Sequence, residues 1–293
     1  MEDRFGSGEV LANKLRFHYL EAGSGPLVLC LHGFPDHAHS YHLQLPILAA
    51  AGFRAVAPFM RGYAPTEASP AGCYQTAALA QDVIALIDAL GAESATVIGH
   101  DWGAVAAFGA AQLAPAKISK LITLSVPHVV PLFQSFITNP AQQRRSWYLF
   151  FFQQALADAA VAHDEFAFLD RIWQDWSPRW KYPPEEMASL KGTFSKTGVV
   201  QAALGYYRCL FNPALHDPAL TSAQAELFTK PIVVPTLYFH GANDGCIGAE
   251  LVNDMDGMFV GGLKKIVLPD VGHFVHQEAA DTVNREILKW LVS

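Results

Sequence analysis

The sequence predicts an α/β protein: a mostly parallel central sheet flanked by helices and interrupted by a helical insertion. Three observations predict it. Short apolar runs alternate with helix-like segments through the first part of the chain. From 129 to 230 no buried-strand sequence occurs, and after 230 strand-type runs resume. Strand and helix in alternation imply right-handed crossovers and hence parallel strands. The chain therefore divides into a first core part, 1–128, a helical cap, 129–230, and a second core part, 231–293.

Taken in order, residues 26–31 (PLVLCL) and 54–60 (RAVAPFM) are apolar enough for strands buried on both faces. So are 95–100 (ATVIGH) and 118–126 (ISKLITLSV), with helices expected over 74–90 and 102–113. In the insertion, 146–157 and 165–176 are aromatic and helix-like, with Pro178, Pro183 and Pro184 as punctuation. Four of the six tryptophans fall there: Trp147, Trp173, Trp176 and Trp180. Strands are expected again over 235–240 (PTLYFH) and 265–268 (KIVL), and a final helix over 274–291.

The 293 residues are 51% hydrophobic and 16% charged, a balance that fills a core and excludes disorder. The net charge of −7 argues against a nucleic-acid partner, because phosphates demand a basic face. The adjacent basic pairs Arg144-Arg145 and Lys264-Lys265 read as solvated surface. Cys30, Cys73, Cys209 and Cys246 lack metal-type spacing and read as inert thiols. Residues 1–4 carry no signal-peptide stretch, and no apolar run has membrane-spanning length, so a cytoplasmic location is expected.

The chemistry concentrates where strands end. Residues 99–103 read Gly-His-Asp-Trp-Gly between a buried strand and a helix. Small residues on both sides of Asp101 permit a sharp strained turn that exposes its side chain, as in a nucleophile elbow. A carboxylate is anionic at neutral pH and attacks a saturated carbon without prior deprotonation. An Asp after a strand also caps helices, so the pentapeptide alone leaves both roles open. Asp244 follows the strand ending near 240, and His273 lies in Pro-Asp-Val-Gly-His-Phe before the last helix. Singly, a turn Asp and a capping His are more often structural. In the order Asp101, Asp244, His273 they form the nucleophile, acid and histidine series of a hydrolase. Residues 32–36 (HGFPD) end another strand, where the Phe34 backbone N–H and that of Trp102 would form an oxyanion hole. His276 competes with His273 for the base role; His100 and His240 read as structural.

These motifs resemble the epoxide hydrolase branch of the α/β-hydrolases: HGFPD at 32–36, MRGY at 60–63, GHDWGA at 99–104, the acid at 244 and VGHF at 271–274. The resemblance spans nearly the whole chain and implies an α/β-hydrolase fold with the helical cap inserted after the sixth strand. Within the cap, Tyr148 and Tyr207 resemble the family's two tyrosines that hydrogen-bond the epoxide oxygen, with Tyr206 a rival in register. Trp102, Phe34 and Trp147 are the expected substrate contacts. The implied reaction converts a small apolar epoxide and water to a vicinal diol, with neither metal nor organic cofactor. Two departures bear on loop shape: 63–69 reads YAPTEAS, and Asp36 stands where Glu is common.

A haloalkane dehalogenase uses the same carboxylate, acid and histidine. Its halide-binding Asn in an HGNP loop is replaced here by Phe34, and halide departure would leave both tyrosines unexplained. Fluoroacetate-type dehalogenases resemble GHDRG, with Arg where Trp102 stands. A non-catalytic ligand-binding relative would have little use for the three intact residues.

Overall fold

The computed structural model describes residues 5–227 and 229–292; the N-terminal stretch 1–4 lies outside them. Eight strands form one sheet: β1 (Gly6–Ala12), β2 (Leu15–Ala22), β3 (Leu27–Leu31), β4 (Arg54–Pro58), β5 (Ala95–His100), β6 (Ile118–Leu124), β7 (Thr236–Gly241) and β8 (Leu263–Leu268). Their order is β1-β2-β4-β3-β5-β6-β7-β8. β1 and β2 are antiparallel to their neighbours, and every pairing from β4 to β8 is parallel. The chain leaves β3 for β4 on one side and then returns to place β5 on the other. That reversal opens a crevice beyond the carboxyl ends of β3 and β5, the usual ligand position in such sheets.

The expected strands form where the apolar runs lie, and β3 and β5 are buried at every residue. The β1–β2 hairpin was not expected. Its strands are polar and half-exposed, and the pairing depends on a turn at Asn13 and Lys14, both at positive φ. The Asn13 side chain donates to Asp82, which also takes a two-point ion pair from Arg61 at 2.5 and 2.6 Å.

Helices α1 (Leu45–Ala50), α2 (Thr76–Ala89) and α3 (Trp102–Leu113) cover the core. Among the described residues the insertion after β6 carries helices and no strand: α4 (Val129–Thr138), α5 (Pro140–Arg145), α6 (Trp147–Phe151), α7 (Leu156–Trp176), α8 (Pro184–Phe194), α9 (Val199–Phe211) and α10 (Thr221–Glu226). The single helix expected over 146–157 is in fact α6 followed by the start of α7. Asp164, Glu165 and Phe166 adopt left-handed φ and kink α7. The C-terminal helix also divides, into α11 (Val275–Glu278) and α12 (Ala280–Val292), because Ala279 leaves helical geometry. All four cysteines are free and buried. No helix among the described residues is long and apolar enough to cross a membrane.

Candidate active site

Asp101 occupies the one-residue joint between β5 and α3 with φ 50° and ψ −118°, a strained conformation for a residue with a side chain. Glycine on both sides makes the joint possible. A Cβ on Gly103 would lie 2.1 Å from the Leu31 carbonyl oxygen, and one on Gly99 would lie 2.3 Å from that of Gly103. Both obstacles are backbone and cannot swing away. The Asp101 carbonyl accepts from the Ala104 and Val105 amides and starts α3, while the side chain turns into the crevice.

Around that carboxylate three chain segments converge. The Phe34 amide, in the loop after β3, donates to Asp101 Oδ1 at 2.7 Å. His273 Nε2 lies 3.7 Å from Oδ2. His273 Nδ1 is 2.8 Å from Asp244 Oδ2, and Asp244 Oδ1 accepts from the Cys246 and Ile247 amides at 2.7 and 2.9 Å. Trp102 is the first residue of α3, where a backbone N–H has no intrahelical acceptor.

The electrostatics couple Asp101 to His273. Burial pushes the Asp101 carboxyl up, but the His273 imidazole outweighs it and holds the carboxyl below its usual range. Burial disfavours a charged His273, yet Asp244, Cys246 and Asp101 together raise it well above an ordinary histidine. Both directions describe a sealed imidazolium–carboxylate pair.

Tyr148 and Tyr207 come from α6 and α9 to stand over Asp101, their rings 5.7 Å apart and nearly perpendicular. The Tyr207 hydroxyl is buried without a hydrogen-bond partner among the described residues, whereas that of Tyr148 lies 3.2 Å from Cys246 Sγ. Burial raises both phenols well above their ordinary value, so both remain protonated donors. Tyr206, the register rival, points elsewhere: its hydroxyl donates to the Arg61 carbonyl at 2.8 Å and its ring stacks on Tyr74. Asp101, Trp102, Tyr148 and Tyr207 line a predominantly apolar cavity of about 70 Å³, walled further by Leu132 and Phe136 of α4.

Two expected substrate contacts are placed differently. Trp147 does not face the cavity. It is 40% exposed and packs on Phe151 and Phe168, because consecutive residues of α6 point to different sides. The Phe34 ring is fully buried among Phe152, Trp176, Phe194 and Tyr207, so this residue meets the site through its amide. Trp102 does line the cavity.

Of the other histidines, His276 is buried 3.9 Å from Asp36. His100 bonds the His273 carbonyl at 3.0 Å, and His240 bonds the Ile247 carbonyl at 2.9 Å. Sequence reasoning missed the supports of the His273 loop. Ser177 Oγ accepts the His273 amide at 2.9 Å and donates to Glu278, which accepts the Gly272 and Phe274 amides. It also missed Gln142, which joins α5 to the Cys246 carbonyl and the Gly248 amide. Nothing in their spacing singles these residues out.

A family model described as the alpha/beta hydrolase fold matches residues 26–280. Epoxide hydrolase 2 of Caenorhabditis elegans is 31% identical over 287 residues, covering 94% of this chain and 77% of that protein. The chain belongs to the epoxide hydrolase family. Solved structures agree with this membership. An epoxide hydrolase from Bacillus megaterium, in complex with an inhibitor, superposes with a TM-score of 0.86 at 25% identity, over 98% of this chain and 100% of that one. One from Vigna radiata gives a TM-score of 0.83 at 27% identity, over 99% of each chain. In this member of the family the cap helices follow β6, and Tyr207 of the cap packs against Trp102 at the elbow with ring centroids 5.1 Å apart.

Proposed function

We propose that this chain opens small apolar epoxides to vicinal diols through an ester on Asp101. The Asp101 carboxylate attacks a ring carbon as the C–O bond breaks, and Tyr148 or Tyr207 gives its hydroxyl proton to the departing oxygen. With the Asp101 charge gone, His273 returns a proton to the phenolate; the neutral ring, oriented by Asp244, then takes a proton from water, and the resulting hydroxide equivalent attacks the ester carbonyl carbon. The Phe34 amide already bonded to Asp101, with that of Trp102, stabilises the tetrahedral oxyanion. Collapse expels the diol alkoxide, which His273 protonates, and the carboxylic acid left at Asp101 then returns its proton to His273, restoring the starting pair.

The pair of phenols above the carboxylate carries this reading, above all the unpartnered buried hydroxyl of Tyr207. A leaving alkoxide needs such a donor, and a departing halide does not. One feature suits halide: the buried Trp102 indole N–H also lacks a partner beside Asp101. Phe34, however, offers no side-chain donor to pair with it.

A panel of epoxides and haloalkanes, assayed for diol and halide, tests the function. Diol without halide is expected; halide alone would make the dehalogenase reading correct. In single-turnover experiments His273→Gln should accumulate enzyme carrying the substrate's mass on the peptide containing Asp101. An Asp101→Ala enzyme of full activity would refute the covalent scheme.

A further inference from the structure

Beneath the active site lies a second cluster that the reaction does not use. Asp36, His100 and His276 are all buried, and one ligand atom from each lies within 4.8 Å of the others. We propose that these three side chains bind one divalent transition-metal ion of the Zn²⁺ or Co²⁺ class, held as a structural clamp.

The hydrogen bonding orients the donors. His100 Nε2 faces the His273 carbonyl at 3.0 Å, so it must carry the hydrogen. The lone pair of a neutral ring is then on Nδ1, which is buried without a partner. Metal-binding histidines are commonly held this way, one nitrogen tied to a carbonyl and the other presented to the ion. His276 has neither ring nitrogen partnered, although the ring is fully buried and lies against Tyr41 at 4.9 Å. Orphaned atoms of this kind are costly inside a protein and mark a missing partner.

The carboxylate completes the set. Asp36 accepts from the His37 amide and from the Gln277 side chain, both at 2.9 Å, and Ser40 stands beside it. Among the described residues its only ion-pair neighbour is His276, at 3.9 Å. Burial raises the Asp36 carboxyl, and it lowers both histidines, His100 to about 3. Two neutral imidazoles and a carboxylate in need of a counter-charge are a donor set for borderline cations. Zinc bonds of about 2.1 Å place ligands roughly 3.4 Å apart, so the donors, which lie within 4.8 Å of one another, would draw together on binding the ion.

The position explains what an ion would do. Asp36 follows Phe34 by two residues, His100 immediately precedes Asp101, and His276 follows His273 by three. One ion would tie together the loops that carry the oxyanion donor, the nucleophile and the base, while leaving His273 Nε2 free. Because the ligands are sealed from solvent, the ion must enter as the chain folds.

The test is therefore expression in medium supplemented with Co²⁺ or Zn²⁺, followed by gel filtration in chelator and metal analysis. One ion per chain is expected in the wild type and in Cys246→Val, and none in His276→Gln. The cobalt form should show visible ligand-field bands without a thiolate charge-transfer band in the near ultraviolet. That spectrum separates this site from the nearby Asp244, Cys246 and His273 group, which offers a sulfur ligand. Metal-free wild-type protein would overturn the proposal, leaving the orphaned nitrogens to ordered water. A thiolate band, or metal retained by His276→Gln, would overturn it too. Should His276→Gln not fold, the wild-type stoichiometry and spectrum decide.

Discussion

Replacing Asp101 with Asn should lower the pKa of His273. In the wild type, Asp101 Oδ2 stands 3.7 Å from His273 Nε2, and both groups are buried. With an effective dielectric constant of about 20, that separation corresponds to roughly 4 kcal/mol of attraction. Asp244 remains, so the variant isolates the nucleophile's share. Histidine side chains labelled with ¹⁵N report the ring's protonation directly in a pH titration of both proteins. His273 should titrate clearly lower in Asp101→Asn. An unchanged titration would refute the coupling. Esterification removes the same charge, so the expected result means that His273 becomes an effective base only after alkylation. The coupling also has a thermodynamic sign. His273 is raised in the folded state, so its stabilising contribution is full below the ordinary value of 6.5 and is lost as pH rises through the folded value. Asp101 is depressed, so its contribution is present above the ordinary 3.8 and is lost as pH falls through the folded value. Melting temperature against pH should therefore decline on the alkaline side in the wild type, and less steeply in Asp101→Asn.

Four further single substitutions and one double variant probe the remaining parts. Tyr207→Phe should slow alkylation about 100-fold without lowering the melting temperature, because the hydroxyl removed is buried and unpartnered. Tyr148→Phe should slow the same step and also cost about 1 kcal/mol, since it strips Cys246 of its contact; rapid quench and thermal melts check both. Wild-type alkylation in Tyr207→Phe would exclude that hydroxyl from ring opening. Gly103→Ala should cost about 3 kcal/mol or more, because its Cβ would meet the Leu31 carbonyl at 2.1 Å; a denaturant midpoint like the wild type's would contradict that geometry. Asp82→Asn should cost about 3–5 kcal/mol by stranding the buried Arg61 guanidinium. Arg61→Met combined with Asp82→Leu should recover most of that loss, and failure to recover would point to a structural role beyond the pair.

How much of this site was legible in the sequence follows from what determines each residue's direction. At the end of a strand the chain must turn, and a turn as tight as the one at Asp101 leaves a local record: glycine on both sides and a helix immediately after. Asp101, Asp244 and His273 could therefore be placed from sequence, because each sits at a strand terminus with its own turn residues. The cap has no such record. In the run Ser-Trp-Tyr-Leu-Phe-Phe-Phe-Gln every face of a helix is apolar, so periodicity cannot tell which aromatic looks inward. Adjacent helical positions differ by about 100°, so Tyr148 reaches the cavity while Trp147 faces out. The same ambiguity between Tyr206 and Tyr207 is settled by a partner 145 residues away in the chain, the Arg61 carbonyl, which claims the Tyr206 hydroxyl and leaves its neighbour over the nucleophile. Cys246 read as an inert thiol for a related reason. Its contact with Tyr148 exists only because α6 is brought onto the loop after β7. The nucleophile and base are local inventions of the chain, whereas the two proton-donating phenols are a product of how the cap docks. For the same reason, substitutions at the interface between cap and core should alter ring opening more than ester hydrolysis.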